Sequence, residues 1–335
     1  MQDTHITLAH GNGGYFMRQL IAEIFARHLA NPLLDTQADA VSLPWNSPDL
    51  CITTDGFSVQ PLEFPGGSIG SLAVYGTTND LAVAGATPLY LTLNAFIEEG
   101  LEVQLLDRLI HSLATAANTL GVKVVAGDTK VLPRGQGGGL YLATTGIGVR
   151  ACPLLSMSHI QAGDCVLVSG PVGDHGISVL LARQQFGFKG ELLSDCGSVL
   201  AYTQALCAHY PLVRFMRDPT RGGLATVAHE ISQATGHAVR LYQPQIPIRD
   251  TVQSVCDMLG YDPLYLACEG RVVAVVDPAL AQPALAEWRQ LPGGSQAALI
   301  GIIEAADSPR VILQTALGGE RLLDELEDDP LPRIC

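Results

Sequence analysis

Strands alternating with amphipathic helices predict an α/β chain, and three features of the 335-residue sequence carry that prediction. Residues 14–29 place Phe16, Met17, Leu20, Ile21, Ile24, Phe25 and Leu29 at helical spacing, a single apolar stripe. Residues 102–120 form a second clear helix, and apolar runs of strand length, such as 122–126, 140–149 and 271–276, separate the helices. Apolar residues make up 47% of the chain and charged residues 16%, which is ample core material and excludes disorder over most of the length. At about 150 residues per domain the length predicts two domains. A linker near 150–161 separates an N-terminal domain at 1–152 from a second at 153–318, ahead of a tail at 319–335.

The elements follow in order. After the helix at 14–29, residues 49–54 read as a short strand and 68–85, rich in small residues, as a helix. The helix at 102–120 leads into the strand at 122–126, and the glycine run 135–139 is a flexible turn or lid before the strand at 140–149. Beyond the linker come a strand at 164–169, a helix at 175–186, a strand-like 213–216 and a helix at 222–234. Strands near 264–268 and 271–276 and a helix at 279–289 complete the second domain, and nothing repeats at a fixed period. Between 320 and 329 six of ten residues are acidic, and two prolines follow, so the tail is expected to be mobile rather than packed.

Charge and cysteine usage exclude several classes of function. With 19 Lys and Arg against 33 Asp and Glu the net charge is −14, and the only lysines are Lys123, Lys130 and Lys189. Such a chain has no basic stripe for nucleic acid and is poorly suited to anionic membranes. No apolar run approaches the ~18 residues of a membrane helix, and Met1-Gln2-Asp3-Thr4-His5 is not the start of a signal peptide. The eight cysteines include no C-x-x-C pair, so neither zinc nor a disulfide framework is expected, and the compartment reads as cytoplasmic. Most of them read as small buried apolar residues; Cys335, the last residue, is the exception.

Several motifs join glycine or a small residue to a polar one. His10-Gly11-Asn12-Gly13-Gly14 precedes the first helix, where backbone N–H groups suit an anion and glycine admits a phosphate; a plain helix entry uses the same turn chemistry. Thr54-Asp55-Gly56 ends a strand and offers a carboxylate where open α/β sheets bind ligands. Gly76-Thr77-Thr78-Asn79-Asp80 sets an amide and a carboxylate in an apolar helix; Asp80 there needs a cation or several donors, unless it caps a broken helix. Gly127-Asp128-Thr129-Lys130 combines a carboxylate for Mg²⁺, a hydroxyl and an ammonium for phosphate; a β-turn with a solvated lysine is the alternative.

Asp218-Pro219-Thr220-Arg221-Gly222-Gly223 stands at a helix start. It offers an aspartate for metal, glycine amides for an anion and an arginine fork for phosphate; a cap followed by a surface arginine is the alternative. Gly173-Asp174-His175-Gly176, Glu98-Glu99-Gly100 and Glu269-Gly270 read first as turns, with His175 able to enter a site. If the fold gathers Asp55, Asp80, Asp128 and Asp218, polyphosphate-bound Mg²⁺ relieves their repulsion, which favours an ATP·Mg²⁺ site. No Walker A sequence is present.

In this order the motifs resemble the HypE family, the carbamoyl dehydratases of nickel–iron hydrogenase maturation. That family sits within the aminoimidazole ribonucleotide synthetase (PurM)-like superfamily of ATP-dependent enzymes. The resemblance runs from His5 to Cys335, and Pro332-Arg333-Ile334-Cys335 is its family-specific element. It implies a PurM-like two-domain fold of mixed sheets packed by helices, a homodimer through the N-terminal domain, and ATP with Mg²⁺. Cys335 would take a carbamoyl group from a HypF-type carbamoyltransferase. ATP-dependent dehydration would turn the S-carboxamide into an S-thiocyanate, whose cyanide passes to iron on a HypC–HypD scaffold.

The resemblance assigns Lys130 and Glu269 as phosphate and proton partners, with His175 and Glu99 as further candidates. It makes Asp55, Asp80, Asp128 and Asp218 metal ligands, and Gly13, Gly14, Asn79, Thr129, Thr220, Arg221, Gly222 and Gly223 nucleotide contacts. One departure is Ala267-Cys268-Glu269-Gly270, where superfamily members often carry asparagine ahead of the Glu-Gly pair, so amide contacts at 268 are lost. The rivals are a thiamine-phosphate kinase-like enzyme and a selenophosphate synthetase. The latter needs an N-terminal reactive cysteine or selenocysteine near a lysine, and residues 1–50 hold neither Cys nor Lys. A lipidated binding protein fails because C-a-a-X prenylation needs the cysteine four from the end.

Overall fold

The computed structural model describes residues 3–11, 15–34, 49–153, 155–183 and 192–326. They divide between two units, one running to Leu81 with Thr87–Val149, the other comprising Ala82–Ala86 and the chain from Arg150.

In the first unit the predicted N-terminal helix is continuous but not uniform. α1 (Tyr15–Leu20) passes through a π-helical turn, Ile21–Ala26, into α2 (Arg27–Leu29). His28 fastens it by a 2.7 Å hydrogen bond to the Asp107 carboxylate. Then come β1 (Leu50–Phe57), a short hairpin of β2 (Glu63–Phe64) and β3 (Gly67–Ser68), and α3 (Ile69–Val83). β4 (Ala86–Glu98), α4 (Val103–Leu120), β5 (Lys123–Leu132) and β6 (Leu140–Arg150) follow. The strands lie in the order β1-β6-β4-β5, with β1 antiparallel to β6 and β4 parallel to β5.

Alternation along the strands gives the sheet two unlike faces. Phe57, Leu91, Leu93, Ala95, Ile97 and Leu142 are buried on the face that takes the helices, where α4 adds Leu106, Leu109, Ile110 and Leu113. On the other face Leu50, Ile52, Phe96 and Tyr141 are exposed, Ile52 by 65%.

Two expectations change here. The thirteen-residue β4 was not anticipated, although buried Leu91, Leu93, Ala95 and Ile97 alternate with the less buried Thr92, Asn94 and Phe96. Gly127-Asp128-Thr129-Lys130 does not follow a strand as a turn; it lies inside β5. A Cβ at Gly127 would stand 2.3 Å from the Leu93 carbonyl, so glycine lets β4 approach and the pairing run on. The 135–139 run is a turn, but one held by a side chain: the Glu98 carboxylate accepts the N–H groups of Gly135 and Gly139.

The second unit begins with β7 (Cys165–Val168), α5 (Asp174–Ala182), α6 (Leu200–Cys207) and β8 (Val213–Arg217). It continues with α7 (Gly223–Thr235), β9 (Ala238–Tyr242), α8 (Asp250–Leu259), β10 (Val273–Val276) and α9 (Pro278–Trp288). β11 (Ala298–Glu304), β12 (Arg310–Gln314) and β13 (Glu320–Leu322) complete it. The strands form one sheet in the order β13-β12-β9-β11-β7-β10-β8, with only β9 and β12 parallel among the described pairs.

β7 and β10 are buried at every position, which explains their unbroken apolar sequences. Val166, Val168, Val273 and Val275 pack with Leu224, Val227 and Ile231 of α7. Cys165, Leu167, Ala274 and Val276 face the opposite core, with Leu206 of α6 and Trp288 of α9.

The strand expected at 264–268 is instead a 3₁₀ turn, Pro263–Tyr265, and irregular chain. Asp262 caps it through Leu264 N–H, and the amides of Leu266 and Cys268 go to Pro263 and Pro219 carbonyls rather than to a ladder. The acidic tail also differs. Residues 320–322 pair with β12, Leu323 is 2% exposed, and Arg240 and Arg321 neutralise Glu320 and Asp262. Strand pairing thus orders the start of the tail, Glu320 meets Arg240 of the sheet and the tail's own Arg321 reaches Asp262; 327–335, with Cys335, lie outside the described residues. No described helix is long and apolar enough to cross a membrane. The seven described cysteines are free thiols, and Cys152 and Cys207 place their sulfurs 2.8 Å apart.

Candidate functional site

In the first unit the acidic candidates fall on different faces of the sheet. Asp55 lies on β1 opposite Thr144 of β6, on the helix-facing side shared with Thr53 and Phe57. Asp80, half-buried on α3, accepts a 2.9 Å hydrogen bond from the Thr53 hydroxyl, so β1 and α3 hold Asp55 and Asp80 on one side. Asn79 beside it is buried. Asp128 and Lys130 are exposed on the open face of the edge strand β5, opposite Asn94 and Phe96. Thr129, between them, points inward and is buried.

Among the described residues of this unit, two buried polar atoms lack a hydrogen-bond partner: Thr129 Oγ1 on β5 and His10 Nε2 on the 3₁₀ turn Leu8–Gly11 that packs against β5. The Asp3 carboxylate is 3.4 Å from that nitrogen, near enough to count as an ion pair for a charged ring but without hydrogen-bond geometry. His10 Nδ1 is satisfied by Thr7, so the ring is oriented while its far nitrogen is left for another group. Gly13 and Gly14 lie outside the described residues.

In the second unit three motifs that are distant in sequence converge on residues 266–270. β8 delivers Asp218, which is buried, into the loop ahead of α7; Thr220 is half-buried and Arg221 exposed. Gly222 and Gly223 both adopt positive φ, 71° and 60°, where a side chain would be strained. A Cβ on Gly223 would also stand 2.5 Å from the Leu266 carbonyl, so the start of α7 sits directly on this segment. Cys268 N–H donates to Pro219 O at 3.0 Å, and Gly176 N–H to Ala267 O at 3.2 Å. Gly173 N–H donates to Cys268 Sγ at 3.2 Å, so the sulfur at this departure from the superfamily pattern acts as a buried acceptor.

His175 is entirely buried at the start of α5. Desolvation lowers its pKa to about 3, so the ring is neutral, and Nδ1 lies 2.8 Å from Ser194 Oγ. Glu269 is buried, and Glu99 is half-buried after β4 with its amide bound to Leu132 O.

Sequence reasoning missed the charged groups behind these motifs. Asp195 and Asp174 are buried carboxylates that share Arg271, at 3.6 and 3.5 Å, and Asp174 also pairs with Arg249 at 2.8 Å. Burial raises both carboxyl pKa values, and the arginines oppose that rise. Arg271 directly follows Glu269-Gly270, so its place beside the motif was readable; that of Asp195 was not. Among the described residues no three His, Cys, Asp or Glu side chains gather in a metal-holding group.

Comparison with known proteins gives the family. The AIR synthase related protein family matches in two parts, its N-terminal domain over residues 37–150 and its C-terminal domain over 161–314. The carbamoyl dehydratase HypE of Azotobacter vinelandii is 42% identical over 337 residues, covering 100% of this chain and 98% of that protein. The chain belongs to the HypE family of carbamoyl dehydratases. It is thus a hydrogenase-maturation enzyme of PurM-like fold, and the kinase-like and selenophosphate synthetase-like readings fall away. A crystal structure of the hydrogenase maturation protein HypE in complex with ATP superposes with a TM-score of 0.93 at 41% identity, covering 98% of this chain and 99% of that one. HypE in a HypE–HypF complex gives 0.80 at 40% identity, covering 92% of this chain and 99% of that one.

Proposed function

We propose that the chain dehydrates an S-carboxamide carried on Cys335 to an S-thiocyanate, using ATP. The observation that carries this reading is the full-length likeness to a HypE solved in complex with ATP. The likeness to HypE in a HypE–HypF complex supports a HypF-type partner as carbamoyl donor, and the family resemblance alone names a HypC–HypD scaffold as cyanide acceptor.

In the first step the carboxamide oxygen attacks the γ-phosphorus, ADP leaves, and nitrogen gives up one proton to form an iminophosphate. In the second, the C–O bond breaks, phosphate departs with that oxygen, and loss of the remaining nitrogen proton leaves S–C≡N. The protein orients the oxygen for attack, neutralises charge on the phosphoryl group, and accepts two protons. Lys130 and Arg221, both exposed, serve the phosphates, and Glu269 takes a proton. His175, held neutral, supports the turn instead of carrying charge. His10 Nε2 and Thr129 Oγ1, which make no hydrogen bond among the described residues, fit a polar ligand.

The donor set fits Mg²⁺, which binds one or two carboxylates and completes its shell with phosphate oxygens and water. Asp55 and Asp80 would hold it from one side of the first sheet; Asp128, on the other face of that sheet, does not join them. When bound it supplies charge neutralisation at the γ-phosphate.

The exposed Leu50, Ile52, Phe96 and Tyr141 on one face of the first sheet support a homodimer through that face. Phosphate release in the presence of the carbamoyltransferase and carbamoyl phosphate tests the reaction. Release should match the amount of carbamoylated chain and vanish in Cys335→Ala while nucleotide binding persists. Undiminished release from that variant overturns the reading.

A further inference from the structure

The pair Glu269-Gly270 belongs to no helix or strand, yet it is held from one side by a single carboxylate. Glu269 N–H donates to Asp195 Oδ1 and Gly270 N–H to Asp195 Oδ2, each at 3.2 Å. Gly197 N–H returns a bond to the Glu269 carbonyl at 3.3 Å. The two segments are so close that a Cβ on Gly270 would stand 1.9 Å from the Asp195 carbonyl. Only glycine fits there.

The clamp is itself fixed from behind. The Asp195 side chain has no solvent exposure, and Arg271 Nε lies 3.6 Å from it. That guanidinium also donates to the carbonyls of Pro171 and Gly270, at 2.9 and 3.3 Å, and reaches Asp174. Ser194, the residue before, meets the buried His175 ring at 2.8 Å and accepts Cys196 N–H at 3.0 Å. Each member of the Gly173-Asp174-His175 turn that carries a polar side chain thus braces residues 194–197 or Arg271.

Buried ion pairs add little net stability compared with apolar packing, but they can fix one geometry where loose chain would adopt many. Here the chain they fix carries Glu269.

We propose that Asp195 is the positioning residue for Glu269: its carboxylate, braced by Arg271, clamps the Glu269 and Gly270 amides and so sets where the Glu269 carboxyl points. This rests on the reading that Glu269 serves the dehydration. A general base acts only within hydrogen-bond reach, and a misplacement of about 1 Å can cost about a hundredfold in rate.

The test uses the full chain with the carbamoyltransferase, carbamoyl phosphate and ATP, and follows two steps separately. Carbamoyl loading of Cys335 and its single-turnover conversion to the cyano adduct are read by mass spectrometry. Asp195→Asn keeps the shape but turns one acceptor into a donor facing an N–H. It is expected to leave loading and the KM for ATP within about twofold, slow conversion at least about tenfold, and shift the pH dependence of conversion. Ser194→Ala, a milder change to the same brace, should slow conversion less with the same split, and it decides the matter if Asp195→Asn does not fold.

Loss of loading and of ATP affinity in step with conversion marks a merely structural role and overturns the proposal. So does wild-type conversion with an unshifted pH profile. Glu269→Gln separates the two claims. If it converts at the wild-type rate, the reading of Glu269 is wrong; if it is inactive while the Asp195 and Ser194 variants are normal, only the clamp is wrong.

Discussion

Lowering the pH from about 7.5 to about 5 is expected to destabilise the second unit through one side chain, His175. Burial takes its pKa from an ordinary 6.5 to about 3. The unfolded chain therefore binds a proton at this ring below 6.5, while the folded chain does not until about pH 3. The stability that depends on a neutral ring is whole above 6.5 and is lost progressively as the pH falls toward 3. At pH 5 the protein stands one and a half units into that window. With about 1.4 kcal/mol per unit, His175 alone should then cost about 2 kcal/mol. Urea unfolding followed by circular dichroism, for the wild type and His175→Asn at both pH values, measures it. Asparagine keeps a nitrogen near the Nδ1 position that meets Ser194 Oγ. The difference between the two pH dependences reads the contribution of this ring. If His175→Asn loses as much stability as the wild type on acidification, the claim that the ring is buried and neutral is wrong.

Three further outcomes follow from the packing. Trp288 is fully buried, donates its indole N–H to Tyr202 O at 3.0 Å and meets the Tyr202 ring edge-on, so Trp288→Ala should cost about 3–5 kcal/mol in urea unfolding. A cost below about 1 kcal/mol contradicts that core. Ile52→Asp on the open face of the first sheet should convert the proposed dimer to monomer in light scattering without unfolding the chain; an unchanged oligomeric state contradicts a dimer through that face. Diamide, which accepts two hydrogens per disulfide formed, should join Cys152 to Cys207, whose sulfurs are 2.8 Å apart. Peptide mass spectrometry reads the loss of two hydrogens, and free thiols at both positions under oxidant contradict their proximity.

Much of the fold was legible because periodicity reports burial directly. The stripe at Leu106, Leu109, Ile110 and Leu113 announced α4, and the unbroken apolar run 272–276 announced a strand. What misled was local chemistry overruled at a distance. Gly127 reads as a turn until the Leu93 carbonyl occupies the space of its missing side chain. The run 264–268 reads as a strand until Pro219 takes the Cys268 amide. The acidic tail reads as mobile until residues 320–322 pair with β12 and Glu320 meets Arg240.

Similar limits apply to the site. The motif glycines and acids are visible because each imposes a local requirement. The convergence of three motifs on residues 266–270, and the hold of Asp195 on Glu269, come from chain crossings with no spacing of their own. The four carboxylates are equally visible in sequence, whereas the division of Asp55 and Asp80 from Asp128 across the first sheet depends on strand register.

The central claim is that Cys335 carries the carbamoyl group through its dehydration, and the mass of the C-terminal peptide tests it most directly. With ATP, Mg²⁺, carbamoyl phosphate and an active carbamoyltransferase, the peptide should gain a carbamoyl group. On addition of ATP to the loaded chain it should then lose the elements of water, leaving a cyano group in place of the thiol hydrogen. A loaded peptide that keeps its carbamoyl mass when ATP is consumed, or a cyano adduct on any residue other than Cys335, contradicts the account.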